Sequence, residues 1–280
     1  MIIHPCAKIN LGLNVTAKRS DGYHDIETVF LPVPIYDTLE VYTLPEEYPA
    51  DAPYILDITG NDIVCKAEDN LVVKAYRLLA NDFPLPKVMI RLRKDIPSQA
   101  GMGGGSSDAA YMLRLLNEEY HLNIPINELQ TYAARLGADC AFFITADAEH
   151  PQPMYATGIG EKLYPLQQHW SVLENKWIAF IKPNVAVSTR EAYSGIIPSI
   201  PSKNCLDILL QPIETWRNEL HNDFEDSIFS KLPVLEKTKE YLYSQGAIYA
   251  AMSGSGSTIF GIFNDKPDIT SDAWHFITHL

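Results

Sequence analysis

The segment Pro97-Ser98-Gln99-Ala100-Gly101-Met102-Gly103-Gly104-Gly105-Ser106-Ser107 constrains the fold more than any other part of the chain. It follows Lys87 to Lys94, where Val88, Ile90 and Leu92 share one face as in a strand. It precedes Ala110, Leu113 and Leu116, spaced as a buried helical stripe, and Ser106 or Ser107 is placed to cap that helix. A strand that passes through glycines into a helix start presents free N–H groups and the positive end of the helix dipole. The missing Cβ atoms let an anion such as phosphate come close. The plain alternative is a flexible loop with a serine cap. No Gly-Lys-Ser/Thr closes the segment, so it is not a Walker A loop. From Gly101 it reads G-x-G-x-x-S, which lacks the third glycine of a Rossmann fingerprint.

The 280 residues are 46% apolar and 20% charged, enough for a sizeable core in one large domain or two ordinary ones. Twenty-two Lys and Arg against 35 Asp and Glu leave a net charge of −13, which argues against nucleic acid or an anionic membrane as partner. No apolar run approaches the roughly 18 residues of a spanning helix. The start, Met1 to Pro5, has no basic region and no cleavage site, so a bacterial cytoplasmic protein is expected. Cys6, Cys65, Cys140 and Cys205 are scattered and form neither a disulfide framework nor a zinc knuckle.

Ala7 to Lys18 alternates as a strand, with Ala7, Ile9, Leu11, Leu13 and Val15 on one face and Lys8, Asn10, Gly12, Asn14 and Thr16 on the other. By itself Lys8 reads as a solvated charge. After a turn at Ser20-Asp21-Gly22, His24 to Phe30 reads as the returning strand, with His24, Ile26, Thr28 and Phe30 on one face. Phe30 and Tyr23 are either core aromatics or base-stacking rings. A helix capped near Asp69-Asn70 carries Leu71, Ala75, Leu78 and Leu79. Another, Ile126 to Leu136, is expected to stop at Gly137 in the left-handed conformation. Asp139 then stands before the apolar run Cys140 to Ile144, either as a helix N-cap or as a partly desolvated carboxylate with a cationic partner. Ala146 to Pro153 and Gly158-Ile159-Gly160 mark a change of domain. Helical signals recur at Ser188 to Tyr193 and Val234 to Gln245, and the loop Ser253 to Ser257 runs into the apolar Thr258 to Phe263.

Ala7-Lys8-Ile9-Asn10-Leu11, Asp21-Gly22-Tyr23-His24, the loop Gly101 to Ser107, Leu136-Gly137-Ala138-Asp139 and Met252-Ser253-Gly254-Ser255-Gly256 together resemble the motifs of the GHMP small-molecule kinases. Leu220 to Glu225 fits the same pattern. The resemblance implies an α+β fold of two domains: a ribosomal protein S5 domain 2-like ATP-binding domain, 1–160, and a ferredoxin-like substrate domain, 161–280. The active site would lie in the cleft between them. It implies ATP-dependent phosphorylation of an alcohol, with Lys8 and Asp139 as catalytic pair and Pro97, Ser98, Gln99, Ala100, Gly101, Met102, Gly103, Gly104, Gly105, Ser106 and Ser107 around ATP. Asn10, Tyr23, His24, Phe30, Thr189 and Tyr193 would contact the substrate, and Ser253, Gly254, Ser255 and Gly256 would close the phosphate end. The Asp-Gly-Tyr-His turn favours a cytidyl diphosphate substrate of non-mevalonate isoprenoid synthesis over a homoserine or mevalonate kinase. Both Lys8 and Asp139 argue against a non-catalytic nucleotide-binding regulator. Mg²⁺ is expected with ATP, held mainly by the nucleotide and water with Ser107 as a candidate further ligand, and no metal site built of protein ligands is expected. The resemblance implies no protein partner.

Overall fold

The computed structural model describes residues 1–48, 53–61, 65–166 and 170–280. Its strands are β1 (Ile2–Ile3), β2 (Cys6–Lys18), β3 (His24–Tyr36), β4 (Thr38–Thr43), β5 (Tyr54–Gly60), β6 (Val88–Lys94), β7 (Met154–Thr157), β8 (Lys162–Pro165), β9 (Trp177–Lys182), β10 (Tyr249–Met252), β11 (Ile259–Phe263) and β12 (Trp274–His279). Its helices are α1 (Leu71–Ala80), α2 (Gly104–Glu119), α3 (Ile126–Ala134), α4 (Cys140–Phe143), α5 (Thr189–Ser194), α6 (Cys205–Leu209), α7 (Ile213–Glu219), α8 (Phe224–Lys231) and α9 (Pro233–Ser244). Among the described residues these strands form three four-stranded sheets, ordered β1-β4-β6-β5, β2-β3-β7-β8 and β10-β11-β9-β12. The pair β5–β6 is parallel. Among the described residues no helix is long and apolar enough to cross a membrane.

The chain forms two compact units, one of residues 1–7, 34–98 and 103–150, the other of residues 8–33, 99–102 and 151–280. In the first, α1 buries Val72, Val73, Ala75, Tyr76 and Leu79. Asn70 starts it as the sequence implies, its side chain accepting a 3.0 Å hydrogen bond from Val72 N. Helix α2 buries Ala109, Ala110, Met112, Leu113 and Leu116, and α1 packs on α2. Two expectations fail here. Neither Ser106 nor Ser107 caps α2: the helix begins at Gly104, and the N-cap position is Gly103, left-handed at φ +73° with no side-chain cap. Gly137 is not among the glycines with positive φ. Helix α3 already ends at Ala134, closed by backbone bonds from Arg135. Gly137 is instead a matter of space, since a Cβ there would stand 3.2 Å from Cys140 Sγ.

In the second unit one core joins Ala179 and Ile181 of β9, Ala250 and Met252 of β10, Ile259 and Phe263 of β11, Phe224 and Ile228 of α8, and Leu235 and Leu242 of α9. Leu13, Val15 and Ile26 complete it. Burying one such leucine is worth about 2 kcal/mol, which is how α9 is held with polar residues on its outer face. The alternation read for β2 does not survive intact. Every residue from Cys6 to Val15 is buried, on both faces, and the strand runs through Gly12 at φ +68°. There Leu13 turns its backbone to another segment: its N–H donates to His221 O (2.9 Å) and its carbonyl accepts from Asp223 N (2.9 Å).

Candidate active site

Lys8 is not the solvated charge that its strand alone implies. It is 3% exposed and its ammonium donates to Asn10 Oδ1 at 2.6 Å. Asn10 in turn donates to Thr28 Oγ1 at 3.0 Å, and Thr28 donates to the Gly12 carbonyl. The Lys8 ammonium also lies 5.0 Å from the centroid of Phe30, itself 1% exposed. Phe30 is buried as a core aromatic is, and its ring face lies against the Lys8 ammonium.

Two loops border this strand pair within the same unit. Lys8 N donates to Met102 O at 3.0 Å, which fixes the end of the glycine segment 99–102 against β2. Ser253 Oγ donates to Gly101 O (2.9 Å), Ser257 N to Gln99 O (3.3 Å) and Thr258 N to Ala100 O (3.1 Å). The backbones touch closely: a Cβ on Gly101, which has φ +72°, would stand 1.9 Å from Ser253 O. Gly254 packs beside the cation, where a Cβ would be 3.2 Å from Asn10 Oδ1 and 3.4 Å from Lys8 Nζ. The structure thus gathers Lys8, Asn10, Phe30, Gly101, Met102, Ser253 and Gly254.

Of the residues assigned to the cytosine side, His24 and Tyr193 stack at 4.8 Å between ring centroids, and Tyr193 meets Phe224 edge-on at 4.9 Å. Tyr23 is 61% exposed beside them in sequence. Its turn is held by Asp21, which accepts from Tyr23 N at 3.0 Å and pairs with Arg19 at 3.0 Å. Thr189 is exposed at the start of α5, which is capped by Ser188.

The first unit carries the other half of the glycine segment. Gly104, Gly105 and Ser106 fill the first turn of α2, where N–H groups have no carbonyl partner within the helix. Ser107 is fully buried and donates to Cys6 O at 2.7 Å, so it is neither an open phosphate donor nor an open metal ligand. Behind this turn lies a cluster that sequence reasoning missed: Lys94 pairs with both Asp37 and Asp108, all three buried. A Cβ on Gly104 would stand 3.3 Å from the Lys94 ammonium. Asp37 also accepts from Asp95 N (2.7 Å) and Ile96 N (2.9 Å). Asp108 Oδ1 has no hydrogen-bond partner among the described residues. Burial, with Asp37 adding to it, pushes Asp108 up to about 8 despite Lys94. Burial opposes the Lys94 charge, but Asp108 and Asp37 outweigh it and raise that pKa. Only the positions of Asp37 just after β3 and of Lys94 at the end of β6 hinted at this group. Asp139 stands at the N-cap position of α4 without making a side-chain cap bond, so the helix-cap reading fails. Among the described residues no group of three or more His, Cys, Asp or Glu is placed to hold a metal ion.

The family model of the GHMP kinases N terminal domain matches residues 70–147, and that of the GHMP kinases C terminal domain matches residues 206–274. The chain is 49% identical over 270 residues, 96% of its length and 94% of the relative's, to a 4-diphosphocytidyl-2-C-methyl-D-erythritol kinase of Bacteroides fragilis. A crystal structure of 4-(cytidine 5'-diphospho)-2C-methyl-D-erythritol kinase superposes with a TM-score of 0.73 at 30% identity, covering 93% of this chain and 89% of that one. A homoserine kinase from Cytophaga hutchinsonii shares the fold alone, with a TM-score of 0.62 at 16% identity over 92% of this chain and 85% of that one. With both GHMP domains matched and a relative of this similarity along nearly the whole chain, the protein belongs to the GHMP kinases, in the 4-diphosphocytidyl-2-C-methyl-D-erythritol kinase family.

Proposed function

We infer that this chain transfers the γ-phosphoryl group of ATP to the 2-hydroxyl of 4-diphosphocytidyl-2-C-methyl-D-erythritol, a step of the non-mevalonate route to isoprenoids. The observation that carries this reading is 49% identity, over nearly the full length of both chains, to a kinase named for that substrate. The likeness to homoserine kinase, at 16% identity, bears on the fold alone.

Phosphoryl transfer asks for in-line positioning and neutralised charge more than for covalent help. In the proposed reaction the bond from the substrate oxygen to Pγ forms as the bond from Pγ to the β-bridging oxygen breaks, and ADP leaves. Asp139 accepts the hydroxyl proton, and Lys8 offsets the charge that develops on the transferring group. Pro97 to Ser107 receive the ATP phosphates, through backbone N–H groups such as those of Gly104, Gly105 and Ser106; this suits a −13 chain that has no basic surface to spare. A Mg²⁺ ion brought by ATP would be held by the nucleotide and water rather than by a side-chain cluster, and would supply neutralisation of phosphate charge. The stacked pair His24 and Tyr193 supports a cytosine site, with Tyr23 exposed and Thr189 at the start of α5. Phe30 serves there as the floor under Lys8 and Asn10. Ser253 to Gly256 close the phosphate end. Segment 1–160 is assigned chiefly to ATP and 161–280 to the alcohol, which the matches at 70–147 and 206–274 support. The reaction is proposed for the cytoplasm and invokes no protein, nucleic-acid or membrane partner.

A coupled ADP-release assay with the cytidyl diphosphate, homoserine and mevalonate as separate acceptors tests the reading. Turnover with the first and not the others is expected. Turnover of homoserine or mevalonate in its place would overturn it.

A further inference from the structure

The geometry points to Asn222 as a positioning residue for the phosphoryl transfer, acting through the loop Ser253–Ser257. Asn222 is 3% exposed and its amide is fully engaged. Both N–H bonds of Nδ2 are donated to carbonyls two residues apart, Met252 O at 2.7 Å and Gly254 O at 2.8 Å. Its Oδ1 accepts from Phe224 N at 3.1 Å, at the start of α8. A carboxamide is the side chain of this length that supplies two donors and an acceptor at once.

The two carbonyls frame the point where β10 ends and the loop begins. Glu225 steadies the strand side of that point, accepting from Met252 N at 2.7 Å. On the loop side it is Asn222 that reaches Gly254, the residue packed beside Asn10 Oδ1 and Lys8 Nζ. Asn222 is itself referenced to the strand that carries those two groups. The segment around it pairs with Leu13 of β2 in a parallel bridge, His221 O and Asp223 N bonding the Leu13 backbone on either side. Asp223 Oδ2 also accepts from Val15 N at 2.7 Å. Together with the bonds from Ser253, Ser257 and Thr258 to the 99–101 backbone, this amide sets the position of Gly254 beside Lys8 and Asn10, with the same strand as its reference. Loss of its donors frees the loop at the place where it meets the reacting groups. Displacement of about 1 Å in a positioned site is enough to cost roughly a hundredfold in rate.

This inference rests on the kinase reading above, and its test separates the two. Steady-state kcat and both KM values are measured for wild type, Asn222→Asp, Asn222→Ala and the control Asn117→Ala, with thermal unfolding of each. Asn117, near the far end of α2, donates one hydrogen bond to Ile124 O (3.1 Å) and accepts one from Ile124 N (2.9 Å), and so serves local structure. Wild type without turnover of the cytidyl diphosphate would sink the kinase reading, and this inference with it. Given wild-type turnover, Asn222→Asp keeps the shape but turns an acceptor toward two carbonyls. It is expected to lower kcat about 10- to 100-fold, as is Asn222→Ala, while the KM for the cytidyl diphosphate stays within about twofold of wild type. Asn117→Ala is expected to lower the melting temperature as much and to leave kcat unchanged. The inference is overturned if either folded Asn222 variant keeps wild-type kcat, or if its loss lies in the KM for the cytidyl diphosphate. It is overturned equally if neither variant folds, since Asn222 is then a folding residue.

Discussion

A lysine ammonium at 3% exposure is costly by several kcal/mol unless its surroundings replace water. Asn10 Oδ1 and the Phe30 ring are part of that replacement. Lys8→Met, which keeps the stem and removes the charge, leaves Asn10 Oδ1 without its donor and is expected to cost about 1–3 kcal/mol of stability and to lose about two decades or more of kcat. Melting temperature and kcat on one preparation check this; near-wild-type turnover would remove Lys8 from the proposed pair. Ser107 behaves otherwise. Its hydroxyl is spent on Cys6 O, so Ser107→Ala is expected to cost about 1 kcal/mol of stability and to move the KM for ATP less than twofold, which denaturant titration and kinetics resolve. The sequence placed Lys8 and Asn10 on one face of a strand, and that much is observed. It could not show their burial, because what covers that face includes Gly254, far away in the chain.

At the level of elements, α2 starts without a side-chain cap and lies over a buried cluster of ionisable groups. Two carboxylates, Asp37 and Asp108, share one ammonium behind its first turn. Asp108 is raised in the folded protein to about 8, against an ordinary aspartate in the unfolded chain. The folded state thus holds this proton more tightly. The stability linked to it is fully present below the unfolded pKa and is lost as pH rises through about 8. Wild type is accordingly expected to lose melting temperature between pH 6 and 9, and Asp108→Asn to lose less over the same interval; parallel slopes for the two proteins would refute the linkage. Local chemistry made some elements readable. Asn70 caps α1, Ser188 caps α5, and Val88 to Lys94 is a strand. Serines within the α2 turn misled because the helix starts at Gly104, ahead of both, and Ser107 bonds to Cys6 O instead; Gly137 misled because its backbone is not left-handed, and a Cβ there would be tight against Cys140.

On the scale of the molecule, the two compact units are assembled from interleaved segments, with breaks inside β2, β3 and the glycine loop. Periodicity alone could not have given that, since it carries no information on which strand pairs with which. The motifs did better because phosphate chemistry ties residue types to spacing, and the GHMP membership follows from them as well as from the matches. The remaining question at this scale is whether Lys8 and Asp139, from different segments of the chain, work as one device. Asp139→Asn is close to isosteric and removes the ability to take a proton, and its folding is followed by thermal unfolding. It is expected to lower kcat about 10²- to 10⁴-fold, the usual worth of a positioned base. If the two residues serve the same transition state, loss of Lys8 forfeits most of the same benefit. The double variant Lys8→Met, Asp139→Asn then falls well short of the product of the two single losses, as groups that act as a unit do. Four kcat values close this cycle, with thermal unfolding to confirm four folded proteins. Losses that multiply would mean that the two residues act independently, and near-wild-type turnover of Asp139→Asn would remove the base from the mechanism altogether.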